Sequence, residues 1–156
     1  MKKFKIADCR FGIELAAQRA AFVVDVDHSG IMVAQATRRN KGAIAAARAE
    51  VRMASAALLP YPDKRFDKGL AINSLRFWPE PVANLCEVAR VLKAGGRILI
   101  VSQPRWAKTT AEVAQEGERI ATQLAAAGFV EIQQLHESFQ PIAAVAVSGM
   151  KVEAES

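Results

Sequence analysis

Polar residues follow two apolar runs of the chain, at the places where predicted strands would end. The run FVVDV (22–26) is followed by Asp27 and His28, and the run GLAI (69–72) is followed by Asn73 and Ser74. In an open α/β sheet, ligands bind outside the carboxyl ends of the strands. An acid at the position of Asp27 can accept hydrogen bonds from both hydroxyls of a ribose, although an isolated strand-end Asp is more often a turn or N-cap residue. These residues predict a ligand site at one edge of a sheet.

The residue types used for nucleophilic and zinc chemistry do not form recognisable patterns. His28 and His136 are the only histidines, and neither has a Ser, Cys or Asp at a spacing that indicates a hydrolytic triad. Cys9 and Cys86 lie far apart, with no CxxC or Cys/His spacing. The sequence therefore favours neither a disulfide framework nor a metal site, and both cysteines are predicted to be reduced thiols.

The predicted site depends on helices and strands that the apolar periodicity marks along the chain. Gly95 and Gly96 are expected to stop one helix, and Thr109 with Glu112 matches a capping box that would start the next. The predicted helices cover 13–20, 30–39, 42–49, 81–94 and 109–127. The predicted strands cover 22–26, 51–53, 69–72, 97–101, 129–135 and 142–148, with a turn near 137–141 between the last two.

This order of elements predicts an α/β fold. Near-continuous apolar strands are those that helices cover on both sides, which indicates a three-layer, Rossmann-like, mostly parallel sheet. The last two strands are expected to form a C-terminal antiparallel hairpin. With 156 residues, the chain is predicted to form one domain over residues 1–150, followed by a frayed tail over 151–156.

Composition and charge bear on the partners of the protein. The chain is 51% hydrophobic, yet no run approaches the roughly 18 consecutive apolar residues of a membrane span. Its net charge of +5 is dispersed, and the basic groups at 2–5 and 38–41 contain a single aromatic, Phe4, instead of the interleaved aromatics of a single-strand binding platform, so a solvated surface is favoured over nucleic-acid binding. The first residues make a poor signal peptide, which predicts a cytoplasmic location.

Two segments carry a resemblance to a known family. The stretch 59–104, LPYPDKRFDKGLAINSLRFWPEPVANLCEVARVLKAGGRILIVSQP, is similar to LPFxDxSFDxVxxxxSLxxWxDPxxxLxExxRVLKPGGRLxI. The segment VDVDHSGIMVAQA (24–36) resembles VxGVDxSxxMLxxA, with Asp25 where the family usually has Gly. Both patterns are those of class I S-adenosylmethionine-dependent methyltransferases, particularly the small-molecule group similar to ubiquinone and menaquinone biosynthesis enzymes. The resemblance extends from Phe11 to Lys151 and implies the class I methyltransferase fold, S-adenosylmethionine as cofactor and a small-molecule methyl acceptor.

The resemblance also implies which residues line the cofactor. Asp27 takes the ribose position, Ser55 and Ala56 take the segment that touches adenine, and Asn73 lies beside the methionine part. An ordinary loop serine is an equal alternative for Ser55. Phe77 and Trp78 could wall the methyl-transfer pocket, although for Trp78 packing against the following helix is favoured. The full set of predicted cofactor-binding residues is Gly12, Asp27, His28, Ser55, Ala56 and Asn73, and no catalytic residue is named.

The N-terminal part departs from the family pattern. The family carries a glycine loop of the form (V/I)LE(I/V)GxGxG after its first strand, whereas Asp8, Cys9 and Arg10 stand there in this chain, and 5–7 makes a poor first strand. Glycines let the backbone approach a cofactor without a Cβ clash. Two explanations stay open: an N-terminus damaged by a frameshift or altered start, or a diverged domain. They predict either an impaired methyltransferase with an incomplete N-terminal part or an inactive remnant that acts as a binding or interaction domain.

Overall fold

The computed structural model describes residues 20–137 and 143–152, and this part of the chain contains six strands and four α-helices. A short 3-10 helix, Leu75–Phe77, follows the third strand. The strands are β1 (Val23–Asp27), β2 (Ala49–Met53), β3 (Phe66–Ile72), β4 (Leu92–Ser102), β5 (Phe129–Glu137) and β6 (Ala144–Lys151). The helices are α1 (Gly30–Arg39), α2 (Lys41–Ala45), α3 (Pro81–Val91) and α4 (Thr110–Ala126).

The strands form two sheets. In the first, β1 pairs with β2 in parallel, and in the second the order is β3-β4-β6-β5. β3 and β4 are parallel, whereas β6 is antiparallel to both of its neighbours, β4 and β5. The predicted α/β class with a C-terminal antiparallel pair is thus confirmed. No helix in the described residues is both long and apolar enough to cross a membrane.

The predicted elements are present with shifted ends. β1 begins at Val23, whereas the sequence predicted Phe22. α2 ends at Ala45 and is therefore shorter than the helix predicted over 42–49. The last strand includes Lys151, which the sequence assigned to the tail; its Nζ donates a hydrogen bond of 2.6 Å to the backbone oxygen of Leu92. The predicted first helix, the strand at 5–7 and the turn at 137–141 fall on residues 1–19 and 138–142, outside the described parts except at their ends.

The first strand is covered on both faces, as its apolar sequence predicts. Val23 packs in a small cluster with Ala20 and Ala49, while the next residue, Val24, belongs to the main core. Because successive side chains of a strand point to opposite faces, both faces of β1 are buried. Asp25, on the face of Val23, is also fully buried.

The glycine pair does not stop the helix before it. α3 ends at Val91, and the backbone N–H groups of Lys64 and Arg65 donate to the carbonyls of Arg90 and Val91, which satisfies the helix end without a glycine. Gly95 and Gly96 lie instead in β4, where the pairing with β3 shifts register. Gly95 has φ +71°, and a Cβ on Gly96 would lie 2.7 Å from the carbonyl oxygen of Lys93. The pair therefore allows a bulge at the start of β4.

The last helix begins at the capping box that the sequence predicts. The Thr109 hydroxyl accepts a hydrogen bond of 3.2 Å from the Glu112 backbone N–H, and the Glu112 carboxylate accepts from the N–H groups of Lys108 and Thr109. These backbone hydrogen bonds lower the pKa of Glu112. The helix then packs closely on β5 and β6: a Cβ on Gly117 would lie 2.9 Å from a methyl carbon of Val145.

One carboxylate is buried between α4 and β4. The side chain of Glu116 accepts a hydrogen bond of 3.0 Å from the Ser102 hydroxyl and two of 2.8 Å from the Arg119 guanidinium. Burial alone would raise the pKa of Glu116, but the hydrogen bonds from Arg119 and Ser102 outweigh it, so this pKa lies below its ordinary value. The ionised glutamate therefore joins the helix to the carboxyl end of β4.

We expect Thr109→Ala to lower the free energy of unfolding by about 1 kcal/mol, because the substitution removes the side-chain acceptor of the helix cap. Thr122→Ala is the matched control, since the exposed Thr122 hydroxyl only donates to the Glu118 carbonyl within the same helix. Its unfolding free energy should change by less than about 0.5 kcal/mol. Urea unfolding followed by circular dichroism measures both, and equal losses for the two variants would contradict the capping role.

We expect Glu116→Gln to cost roughly 1–2 kcal/mol at pH 7, because an amide cannot accept the same charge-assisted hydrogen bonds from the partly exposed Arg119. The folded-state pKa lies below the unfolded value, so this stabilisation is present above the ordinary glutamate pKa and disappears as the pH falls through the folded value. The gap between wild type and variant should therefore narrow when the pH is lowered from 7 to below the ordinary glutamate pKa. Urea unfolding at both pH values tests this, with Glu118→Gln as the control on the exposed face of α4; a gap that stayed constant would contradict it.

Candidate functional site

A cavity of about 450 Å³ lies at the carboxyl ends of the first three strands. Its wall contains residues that end or follow β1, β2 and β3, together with residues of α1, α3 and the 3-10 helix. Five of the six predicted cofactor-binding residues line it: Asp27, His28, Ser55, Ala56 and Asn73. The sixth, Gly12, lies outside the described residues. Residues that are up to 46 positions apart in the sequence thus meet at one site, where an open α/β sheet is expected to bind a ligand.

Asp27 is held in place at the end of β1. Its Oδ1 accepts a hydrogen bond of 2.7 Å from the Ser29 N–H, and its backbone carbonyl accepts one of 3.0 Å from the Ala54 N–H. The Ser29 hydroxyl in turn caps α1 by accepting from the Met32 N–H. The side chain of Asp27 remains 21% exposed, so the carboxylate can receive hydrogen bonds from a hydroxyl-bearing ligand in the cavity.

His28 lies at the rim of the cavity. Its side chain is 82% exposed, and its Nδ1 is 3.9 Å from Oδ1 of Asp27. A side chain so open to solvent can contact an exposed edge of a ligand but cannot form the floor of the site. The structure therefore brings His28 to the cavity with a peripheral position.

Ser55 and Ala56 form a turn after β2. The Ser55 hydroxyl accepts a hydrogen bond of 3.1 Å from the Ala57 N–H, and its carbonyl accepts one of 3.1 Å from the Leu58 N–H. A hydroxyl oxygen has two lone pairs, so one acceptor position of Ser55 remains for a ligand. Ser55 is exposed and Ala56 is half-buried, which is the arrangement of a cavity mouth.

Asn73 is the predicted residue whose side chain is most fully engaged by the protein. Its amide oxygen accepts a hydrogen bond of 2.7 Å from the Gln103 N–H, and its Nδ2 donates to Oε1 of Gln103 at 3.3 Å. The backbone adopts φ +53°, a conformation that Asn tolerates better than most residues. Asn73 thus links the ends of β3 and β4, and its backbone is the part best placed for a ligand.

Aromatic residues form one side of the cavity. Phe77 is 68% exposed at the end of the 3-10 helix. Trp78 is half-buried, packs against the main core and also lines the cavity. Arg76 places its guanidinium carbon 5.1 Å from the centroid of the Phe77 ring, which orients that ring by a cation–π contact.

Sequence reasoning missed Asn84, which lines the same cavity from the first turn of α3. It is only 3% exposed. In 20–137 and 143–152 its side-chain amide is not among the fully enclosed polar groups that lack a partner, and it lines the cavity. The signal available from the sequence was a polar residue among the apolar positions of an otherwise core-facing helix. Asn84 thus offers both a donor and an acceptor to a ligand.

The loop between the Ser55 turn and β3 is fastened to α3. Glu87 accepts a hydrogen bond of 2.7 Å from the N–H of Leu59, a residue of the cavity wall. Arg90 donates to the carbonyls of Leu59 and Tyr61 and to the carboxylates of Asp63 and Glu87. The hydrogen bond from Arg90 is the main cause that lowers the pKa of Glu87. This ionic network fixes the cavity wall on a rigid helix.

Comparison with known proteins relates this arrangement to a family. The sequence profile of the family described as "Methyltransferase domain" matches residues 10–100, which is more than half of the 156 residues. The matched region contains the whole set of residues that line the cavity.

Two relatives extend the comparison. The chain is 28% identical over 93 residues to "Uncharacterized methyltransferase YdaC" of Bacillus subtilis (strain 168), an alignment that covers 59% of this chain and 51% of YdaC. It is 47% identical over 49 residues to "Demethylmenaquinone methyltransferase" of Tropheryma whipplei (strain Twist), covering 30% of this chain and 20% of that protein. The chain thus spans about half the length of YdaC and a smaller part of the second relative.

A solved structure agrees with the fold. A "SAM dependent methyltransferase from Aquifex aeolicus" superposes with a TM-score of 0.78 at 18% sequence identity, covering 96% of this chain and 82% of the other. At this identity the match bears on the fold alone. Together with the family profile, it means that the chain belongs to the methyltransferase domain family and has the class I S-adenosylmethionine-dependent methyltransferase fold.

Proposed function

We propose that this protein transfers a methyl group from S-adenosylmethionine to a small molecule. The observation that carries the proposal is the convergence of Asp27, Ser55, Ala56 and Asn73 on one cavity at the carboxyl ends of three strands. Family membership supplies the cofactor class. The cavity volume of about 450 Å³ is within the range typical of small-molecule and cofactor sites.

The donor set of the cavity fits the chemical parts of S-adenosylmethionine. The Asp27 carboxylate would accept from the ribose hydroxyls, the free lone pair of Ser55 would accept from the adenine amino group, and the Ala56 N–H would donate to a ring nitrogen. The Asn73 backbone would hold the methionine part, and Gly12 is a further residue that the resemblance assigns to the cofactor. His28 would contact the exposed edge of the cofactor. Asn84 adds an amide that the resemblance does not assign.

The chain's part in catalysis would be mainly positioning. S-adenosylmethionine supplies a methyl group already activated by its sulfonium. A nucleophilic atom of the acceptor forms the bond to the methyl carbon, while the carbon–sulfur bond breaks and its electron pair stays on sulfur. Asp27, Ser55 and the Asn73 backbone would fix the donor, while Phe77 and Trp78 would exclude water from the transfer path. A general base is needed only for an acceptor that must lose a proton first.

A second function follows from the glycine loop that the sequence lacks. Asp8, Cys9 and Arg10 stand where the family pattern has glycines, which are the residues that let a backbone approach a cofactor without a Cβ clash. The alternative is a methyltransferase-like domain that has lost the cofactor and acts as a binding or interaction domain. The two functions differ in one measurable property, the affinity for S-adenosylhomocysteine.

We expect isothermal titration calorimetry to detect binding of S-adenosylhomocysteine to the purified chain. Asp27→Asn should weaken this binding roughly tenfold to a hundredfold, because an amide loses the charge-assisted hydrogen bonds to the ribose hydroxyls. Asp67→Asn is the control. Asp67 lies in β3, forms an ion pair with Lys93 of β4 and does not line the cavity. Absence of binding at millimolar ligand would favour the inactive domain, and equal affinity of the two variants would refute the role of Asp27.

We expect Arg90→Met to loosen the cavity wall, because the substitution removes the donor that orients Glu87 and the Leu59 and Tyr61 carbonyls. Hydrogen exchange should become faster at the Leu59 amide, whose acceptor is Glu87, and S-adenosylhomocysteine should bind more weakly. Arg65→Met is the control, since Arg65 is exposed and binds α3 through its backbone. An unchanged exchange rate at Leu59 in the Arg90 variant would contradict the anchoring role.

A further inference from the structure

A second cavity of about 420 Å³ lies next to the first, at the carboxyl end of β4. It is lined by Arg76, Ser102, Pro104, Trp106, Glu116 and Arg119, together with Gln115. The two cavities adjoin at the 3-10 helix, because Arg76 lines the second cavity and Phe77 lines the first. The cation–π contact between these two consecutive side chains forms the boundary. A ligand in the second cavity would therefore lie beside a ligand in the first.

The charges of the second cavity leave one cation without a counterion. Glu116 is engaged by two hydrogen bonds from Arg119 and one from Ser102, which neutralises the Arg119 guanidinium. In the part of the chain that the structure describes, Arg76 forms no ion pair, and its recorded contact is the Phe77 ring. Its charge is nevertheless close enough to contribute to the lowered pKa of Glu116. Among the described residues that line the cavity, two guanidiniums and one carboxylate give one net positive charge.

The remaining wall of the second cavity consists of Pro104, Trp106 and the polar Gln115. Trp106 is 51% exposed and lines the cavity, so its indole is accessible to a ligand there. Pro104 is buried beside it and lines the same cavity. An indole face is suited to stacking against another planar ring. The cavity thus combines a surface for a ring with a cation for an anionic substituent.

We propose that the second cavity binds the methyl acceptor and that the acceptor is a small planar carboxylate. Arg76 would hold the carboxylate, and Trp106 would stack on the ring. Glu116 and Ser102 would act on the ligand indirectly, because they keep Arg119 in the wall. The acceptor role rests on the proposed methyl transfer, whereas the anion-binding property of the cavity can be measured without it.

The chain allows each cavity to be observed separately, because its two tryptophans line different cavities. Trp78→Phe leaves Trp106 as the fluorophore of the second cavity, and Trp106→Phe leaves Trp78 as that of the first. Benzoate is the probe for the second cavity, and neutral benzamide is its matched control. S-adenosylhomocysteine is the probe for the first cavity.

We expect benzoate to change the Trp106 emission of the Trp78→Phe protein in a saturable way, with an affinity at least about tenfold higher than that of benzamide. Adding Arg76→Met should weaken benzoate binding by about tenfold, and Arg76→Lys should restore part of it. Arg105→Met is the control, since Arg105 is exposed on the same loop as Trp106 but does not line the cavity. Circular dichroism confirms that each variant is folded.

The outcomes separate this proposal from the proposed function. Equal affinities for benzoate and benzamide, or equal losses in the Arg76 and Arg105 variants, would overturn the carboxylate site. If benzoate binding depends on Arg76 while S-adenosylhomocysteine leaves the Trp78 emission unchanged, the anion site stands and its role as an acceptor site fails. If both probes bind and S-adenosylhomocysteine alters the benzoate affinity, the two cavities form one donor and acceptor site.

Discussion

The ionic network of Glu87 and Arg90 is the interaction on which the candidate site depends. It joins two parts of the chain that lie about 30 positions apart in the sequence: the loop between the Ser55 turn and β3, and the helix after β3. Two backbone N–H groups of the same loop donate hydrogen bonds to the last carbonyls of α3. Because the helix end and the loop satisfy each other, neither needs a glycine or a separate cap, and the cavity wall at Leu59 acquires the rigidity of a helix.

This network also explains in physical terms a motif that the sequence shows only as a pattern of residue types. The pattern LxExxR places a carboxylate and a guanidinium one helical turn apart, where they pair with each other and still reach outward. The spare acceptor of Glu87 and the spare donors of Arg90 bind backbone groups of the loop. The resemblance in this stretch is therefore a resemblance in how the cavity is supported, beyond the residues that face the cavity.

The sequence was sufficient to predict the order of the elements and the edge of the sheet where the first cavity lies. Apolar periodicity marked α3 and α4, and the strand-end positions of Asp27 and Asn73 followed from alternation of strand and helix. It could not predict that the Asn73 amide is bound to Gln103, because that hydrogen bond depends on the register of β3 against β4. The same long-range pairing turned Gly95 and Gly96 from an expected helix stop into a bulge, and helix rotation decided that Asn84 lines the cavity.

The division of the described strands into two sheets has a consequence for energetics. β1 and β2 pair only with each other, while β3 pairs with β4, yet the first cavity takes its walls from both groups. A ligand that fills this cavity contacts residues of both groups of strands. A ligand that binds only the folded chain raises its free energy of unfolding, so stability and occupancy of the cavity would increase together. Filling the cavity would then contribute to the stability of the fold as well as to binding.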